Sequence, residues 1–199
     1  MEKKQTIKIG IISDTHGLLR SEVTVILKKC DYILHAGDVD TPEILDELRL
    51  LGFIYVVRGN NDGYWAQNLR RSLNFTIGNI KFFMVHDKKD VAWELGDTQV
   101  VIYGHSHKYA CEKIDGRLWL NPGSCGRSRF GGAVTMAGFD LGKKKKIVGK
   151  NFFFKLKNLK KRDFIFFFFK YNRVEEKNMK KIKDLIGGKK KHCVNHFLE

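Results

Sequence analysis

Five short stretches of this sequence carry metal-binding side chains: Asp14-Thr15-His16, Gly37-Asp38, Gly59-Asn60-Asn61-Asp62, a lone His86, and Gly104-His105-Ser106-His107. Carboxylates, neutral imidazoles and an amide oxygen suit manganese, iron or zinc. The set contains no cysteine, which argues against a closed structural zinc site. Any one of the motifs alone reads equally well as a turn. Together Asp14, His16, Asp38, Asn60, His86, His105 and His107 are too many ligands for one tetrahedral ion. They suit two ions about 3.5–4 Å apart, bridged by one carboxylate, with water at the open positions.

What would bring five separate stretches together is a shared place at the ends of β-strands. Ile7–Ser13 reads as a buried strand, and a helix with Val23, Ile26 and Leu27 on one face follows it. Tyr32–Ala36 is a second strand, ending in Gly37-Asp38-Val39-Asp40. Thr41-Pro42-Glu43 starts a helix, Ile44, Leu45, Leu48 and Leu51 face inward, and Gly52 stops it. Phe53–Val57 is a third strand, running into Arg58–Gly63. This alternation predicts parallel strands with right-handed crossovers. All three then end at one sheet edge, where open α/β sheets place their chemistry. A short helical stretch is expected at Tyr64–Leu69. A hairpin of Phe75–Ile77 and Ile80–Val85 delivers His86, and Val91–Leu95 reads as one helical turn. The strand Gln99–Tyr103 delivers Gly104 to His107. A second hairpin, Tyr109–Ile114 with Arg117–Leu120, closes at Asn121-Pro122-Gly123-Ser124, and a last strand spans Ala133–Phe139. The expected fold class is α/β: two stacked mixed β-sheets flanked by helices.

Read in order, Asp-x-His, Gly-Asp, Gly-Asn-x-Asp, His and Gly-His-x-His resemble the calcineurin-like metallophosphoesterases. The compact spacing is similar to that of the YfcE-type phosphodiesterases and of the retromer's phosphoesterase-fold subunit. The resemblance covers about residues 7–140 and implies the αββα sandwich of that family. It implies that Asp14, His16 and His107 hold one metal, that Asn60, His86 and His105 hold the other, and that Asp38 bridges. The implied cofactors are two divalent ions, Mn2+ foremost, with Fe, Zn, Ni and Co as alternatives. A hydroxide between them would attack phosphorus in line, with Asn60 and Asn61 at the substrate phosphate. Two departures matter. Many relatives carry a histidine after the Gly-Asn, proposed to protonate the leaving oxygen; here that place is Asn61, which cannot act as an acid. Asp62 is then the candidate catalytic residue, acting through a water, against a structural role for the same side chain. Asp87 follows His86 where relatives often have glycine, altering the groove wall. The implied activity is hydrolysis of a small-molecule phosphoester, by a phosphodiesterase rather than a monoesterase. The alternative is a weakly active or inactive metal-binding scaffold of the same fold that serves protein interaction.

The net charge of +15 suggests nucleic acid until its distribution is read. Residues 1–142 carry 18 Lys/Arg against 17 Asp/Glu, whereas residues 143–199 carry 19 against 5. The expected organisation is a phosphoesterase domain over 1–142 and a basic Lys/Phe-rich extension over 143–199. That extension admits four readings: a helix or strand added to the domain, a contact to nucleic acid or acidic membrane, a partner-docking arm, or a segment foreign to the domain through a frame change. Lys177–Ile186 would be its short helix. No apolar run approaches the roughly 20 residues of a membrane span. The four cysteines show no Cys-x-x-Cys pairing and no secretory segment precedes the first strand, so reduced thiols and a cytoplasmic protein are expected. A homo-oligomer is compatible with all of this. His35 reads as a buried or ligand-supporting histidine, and Asp40 as an acidic group at a helix start with a ligand role as the alternative. Arg127 and Arg129 read as a solvated loop, with contact to a substrate phosphate as the alternative. Trp65, Trp93 and Trp119 read as packing residues, Tyr64 and Trp65 being near enough to the Asn-rich loop to line a pocket.

Overall fold

A computed structural model of the chain describes residues 6–127, 133–142, 150–156 and 165–170, the last two stretches as backbone alone. The first third alternates as its hydrophobic pattern requires: β1 (Ile7–Ile12), α1 (Ser21–Leu27), β2 (Tyr32–His35), α2 (Pro42–Arg49) and β3 (Phe53–Val56). β1, β2 and β3 pair in parallel, with Ile9 opposite Tyr32 and Tyr32 opposite Phe53. The next five strands, β4 (Ser72–Ile77), β5 (Ile80–Val85), β6 (Val100–Ile102), β7 (Tyr109–Ile114) and β8 (Arg117–Pro122), form a second sheet in the order β4-β5-β6-β8-β7. It is mixed: β6 runs parallel to both β5 and β8, while the two hairpins are antiparallel. β9 (Val134–Leu141) returns to the first sheet, antiparallel to β1. β10 (Lys150–Leu156) and β11 (Ile165–Lys170) continue outward from β9. Two strands from the basic stretch thus extend the first sheet. The helix expected at Lys177–Ile186 lies outside the described residues.

The alternation of strand side chains builds the layers. Ile9 and Ile11 of β1 face the second sheet, where they join Leu34, Phe82, Met84, Val100, Ile102, Leu120 and Phe139 in one buried cluster. Ile12 faces the other way, onto Val23 and Leu27 of α1 and Ile44 and Leu48 of α2. The outer side of the second sheet is covered differently. Phe83, Val85, Val101 and Tyr103 pack against Val91, Leu95 and Trp119, with no helix over them among the described residues. The helical turn expected at Val91–Leu95 lies earlier, as a 3-10 turn at Lys88–Asp90. Asp87 starts it by accepting the Lys89 N–H at 3.0 Å, and Val91 is already extended. The stretch at 64–69 likewise contracts to a 3-10 turn, Tyr64–Ala66. Trp93, expected to pack, is fully exposed. Thr41 begins α2 in extended backbone without a side-chain cap, and Pro42 takes the first-turn place where a missing N–H costs nothing. Among the described residues no helix is long and apolar enough to cross a membrane.

Candidate metal centre

Strands β1, β2, β3, β5 and β6 each run into one of the five motifs, and hydrogen bonds stitch their ends together. Asp14 N donates to Gly37 O at 3.0 Å, His16 N to Asp38 O at 3.1 Å, and Gly104 N to His86 O at 2.8 Å. The backbone here is strained. Asp14 (φ 54°), His16 (48°), Asp38 (58°), Asp40 (72°), His105 (67°) and His107 (57°) are all left-handed. Such conformations cost on the order of 1 kcal/mol each for non-glycine residues and gather at functional sites. Close approach sets the glycines: a Cβ on Gly59 would run into Asp38, and one on Gly104 into Ser13.

The seven side chains form two overlapping groups. In one, Asp14, His16 and His107 bring ligand atoms within 4.8 Å of one another; Asp14, Asp38 and His86 do the same in the other. Asn60 and His105 join the second group through the Asn60 Oδ1, which lies 3.0 Å from His86 Nε2 and 2.8 Å from His105 Nδ1. Asp38 stands between the groups, its Oδ2 3.3 Å from His86 Nε2 and 3.8 Å from His16 Nε2.

Residues behind this layer fix which atoms face inward. Asp40 Oδ2 lies 3.0 Å from His16 Nδ1, so the ring proton sits on Nδ1 and the Nε2 lone pair turns to the centre. His86 Nδ1 does the same with the Ala36 carbonyl at 2.7 Å. His35 is buried, accepting the Gly37 N–H on Nδ1 and meeting Thr15 Oγ1 at 3.0 Å on Nε2. It supports the loops behind the ligands, as its place in the sequence implied. The two carboxylate oxygens of Asp62 accept N–H bonds from Asp38 (3.1 Å), Val39 (2.8 Å), Asp40 (2.8 Å) and Gly59 (2.7 Å). Arg58 holds the same turn from outside through the Asp62 and Gly63 carbonyls. A buried carboxylate with both oxygens engaged this way positions Asp38. Of the two roles the sequence leaves open for Asp62, proton donor through a water or structural group, four backbone N–H bonds are what the structural one requires. Asn61 is exposed and binds Asp38 twice, by its N–H at 2.9 Å and its side-chain amide at 2.6 Å.

The electrostatics call for cations. Both Asp14 oxygens are buried without a hydrogen-bond partner, with His107 Nε2 3.3 Å from Oδ1, and a buried carboxylate is costly unless its charge is met. His16 Nε2 and His107 Nε2 point at each other across 3.2 Å, and His86 Nε2 faces two oxygens. Lone pairs converging this way need a proton or a metal ion between them. Burial would raise the Asp38 carboxyl, yet the bonds and charge from His86, with Asn61, hold it below the usual range. Burial would lower His86, yet Asp38 keeps its imidazole above the ordinary value. The donor set therefore fits divalent metal: hard carboxylates, imidazoles and one amide oxygen, with no thiolate.

Asp40, read from the sequence as a helix-start group with a ligand role as the alternative, turns its carboxylate to His16 Nδ1. The signal available was its place two residues past Asp38, on a turn that must be left-handed. Arg127 is exposed and contributes a backbone carbonyl to Ser124 Oγ, while Arg129 lies outside the described residues. Trp65 anchors the same region by donating its indole N–H to Asp40 O at 3.1 Å.

Residues 7–144 match the model of the calcineurin-like phosphoesterase superfamily domain. The phosphodiesterase MJ0936 of Methanocaldococcus jannaschii is 31% identical over 139 residues, covering 59% of this chain and 84% of that protein. Among solved structures, Vps29 of Chaetomium thermophilum superposes with a TM-score of 0.70 at 17% identity, covering 84% of this chain and all of the other. The E. coli phosphoesterase YfcE gives 0.55 at 21% identity, covering 67% of this chain and 88% of its own. At these identities the two structures speak for the fold.

Proposed function

Because the chain belongs to the calcineurin-like phosphoesterase superfamily, we propose that it is a two-metal phosphodiesterase acting on small-molecule phosphoesters. The observation that carries this reading is a pair of donor groups that share one buried carboxylate, Asp14, which has no hydrogen-bond partner. Asp14, His16 and His107 would hold one ion, Asn60, His86 and His105 the other, and Asp38 both. Mn2+ suits this set, as do Fe, Zn, Ni and Co. When bound, such a pair supplies Lewis acidity and an activated water.

The protein's own groups then constrain the substrate. Asn60 and Asn61 are exposed beside the centre and can meet the substrate phosphate. Asn61 offers amide hydrogens but no acidic proton, and Asp62 is committed to four backbone donors. Without an acid beside Asn60, the site favours leaving groups that depart as stable anions. The relative of the diesterase class, at 31% identity, supports the diester preference. Purified protein with Mn2+ should cleave an activated aryl phosphodiester, and Asp38→Ala and His105→Ala should each lower the rate at least ~100-fold. Wild-type rates in both variants would overturn the assignment.

We place the reaction in a reducing cytoplasm. Cys30, Cys111 and Cys125 are free, and burial pushes the Cys125 thiol up to about 12, which makes it unreactive. Residues 1–142 would be the catalytic domain and 143–199 its basic extension, where contact with nucleic acid is not favoured. A second reading, a metal-binding scaffold with little turnover, is favoured by the missing acid and by Leu50, Phe53 and Trp93, which stand in solvent. It predicts stoichiometric metal without turnover of any activated diester.

A further inference from the structure

Asp40 shows what a carboxylate outside the ligand set does in this protein. It holds the outward nitrogen of His16 at 3.0 Å and so fixes the inward one. The second group of ligands has a greater need of such help. His105 is 45% exposed on its loop. Its ring meets His86 only edge-on, with centroids 5.2 Å apart at 82°. Nδ1 faces Asn60 Oδ1 at 2.8 Å, which leaves Nε2 as the outward nitrogen. Asn60 thus holds the ring at one nitrogen, and a second contact at the other would fix its orientation.

Asp87 is placed to engage it. Its Oδ2 lies 3.7 Å from His105 Nε2, beyond hydrogen-bond reach but close enough for its charge to favour an N–H on that nitrogen turned toward it. The carboxylate is itself fixed, because Oδ1 accepts the Lys89 N–H at 3.0 Å at the start of the Lys88–Asp90 turn. Asp87 follows directly on His86, so one two-residue step from β5 supplies both a ligand and the support for another. We propose that Asp87 is a positioning residue that aims His105 at the second metal, as Asp40 aims His16 at the first. Each metal then depends on its own outer carboxylate. This rests on the two-ion reading above.

The test is calorimetric titration of the metal-free full chain with Mn2+ alone, together with the electron paramagnetic resonance of the coupled Mn2+ pair. Wild type should take up two equivalents. Asp87→Asn keeps an acceptor for Lys89 but removes the charge facing His105. Asp87→Ser keeps a hydroxyl for the turn but is too short to reach the ring. Both should weaken one equivalent about 10–100-fold and leave the other within about twofold, and the pair signal should fall at stoichiometric metal. Asp40→Asn should weaken the opposite equivalent. Near-parental melting of metal-free Asp87→Ser would show that the turn is intact. Wild-type affinity at both equivalents in Asp87→Asn and Asp87→Ser would overturn the proposal, as would equal loss at both. Uptake of a single ion by the wild type would instead overturn the two-ion reading, and the proposal with it.

Discussion

At the scale of single residues, chemical type did not decide role at this site. Asp14, Asp38, Asp40 and Asp62 are four carboxylates within one region, and the structure gives them distinct surroundings. The Asp14 carboxylate makes no hydrogen bond and faces the His107 ring, Asp38 stands between two donor groups, Asp40 holds a histidine, and Asp62 gathers four backbone N–H groups. The difference is what surrounds each oxygen. For Asp62 this makes a clear prediction. Asp62→Ala strands four donors in a buried turn, and each unmet buried donor costs about 1–3 kcal/mol before relaxation. Allowing for water entry, the loss should be at least about 3 kcal/mol, or roughly 6–12 °C in Tm for a domain of this size. Thermal melting of metal-free protein checks it. A parental Tm combined with loss of the limb of the pH–rate profile set by an acid would return Asp62 to catalysis.

Elements explain why those residues meet. Parallel pairing of β1, β2 and β3 brings Asp14, Asp38 and the Asn60 loop to one edge, and the neighbouring ends of β5 and β6 add three histidines. Approach between these loops is closer than a side chain allows at Gly59, whose absent Cβ is the space that Asp38 fills. Gly59→Ala should therefore displace Asp38 more than it disturbs the core. We expect a stability loss of about 1–3 kcal/mol, typical of overpacking. Metal affinity should fall at least ~10-fold by titration with Mn2+. Unchanged metal affinity would mean that the loops yield where the backbone suggests they cannot.

For the molecule as a whole, two sheets share one apolar core, and a second cluster lies beneath the helices, so the polar centre sits at the edge of well-packed layers. Burying a histidine behind it links stability to pH. His35 is fully buried, and burial pushes its imidazole down from 6.5 to about 4. The unfolded chain therefore binds a proton that the folded chain refuses between these values. The His35 share of stability is intact above pH 6.5 and declines as pH falls from about 6.5 toward 4, by about 3 kcal/mol in all. His86, held above its ordinary value by Asp38 against its burial, acts with the opposite sign and loses its share as pH rises above 6.5. Asp38, held low by His86 and Asn61 against its burial, adds a further loss only at more acid pH. Urea midpoints of metal-free protein at about pH 7.5 and about pH 5 should differ by less in His35→Gln than in the parent. Equal differences would assign the pH dependence elsewhere.

Much of this was legible in the chain alone, because local order leaves local marks. Apolar runs located β1 to β9 to within a few residues, and the polar residues after them are the seven side chains that the fold brings together. The Asp115-Gly116 and Gly78-Asn79 turns announced the two hairpins. What could not be read is what depends on atoms brought from afar. Asp62 and Asp40 look alike in sequence, and only the fold puts four N–H groups around one and a histidine beside the other. The turn at Lys88–Asp90 rather than at 91–95 depends on Asp87 capping it, which the apolar pattern cannot register. Composition and spacing thus determined which chemistry the strand ends carry. Tertiary packing, by fixing which nitrogen and which oxygen face inward, decided how the residues divide that work.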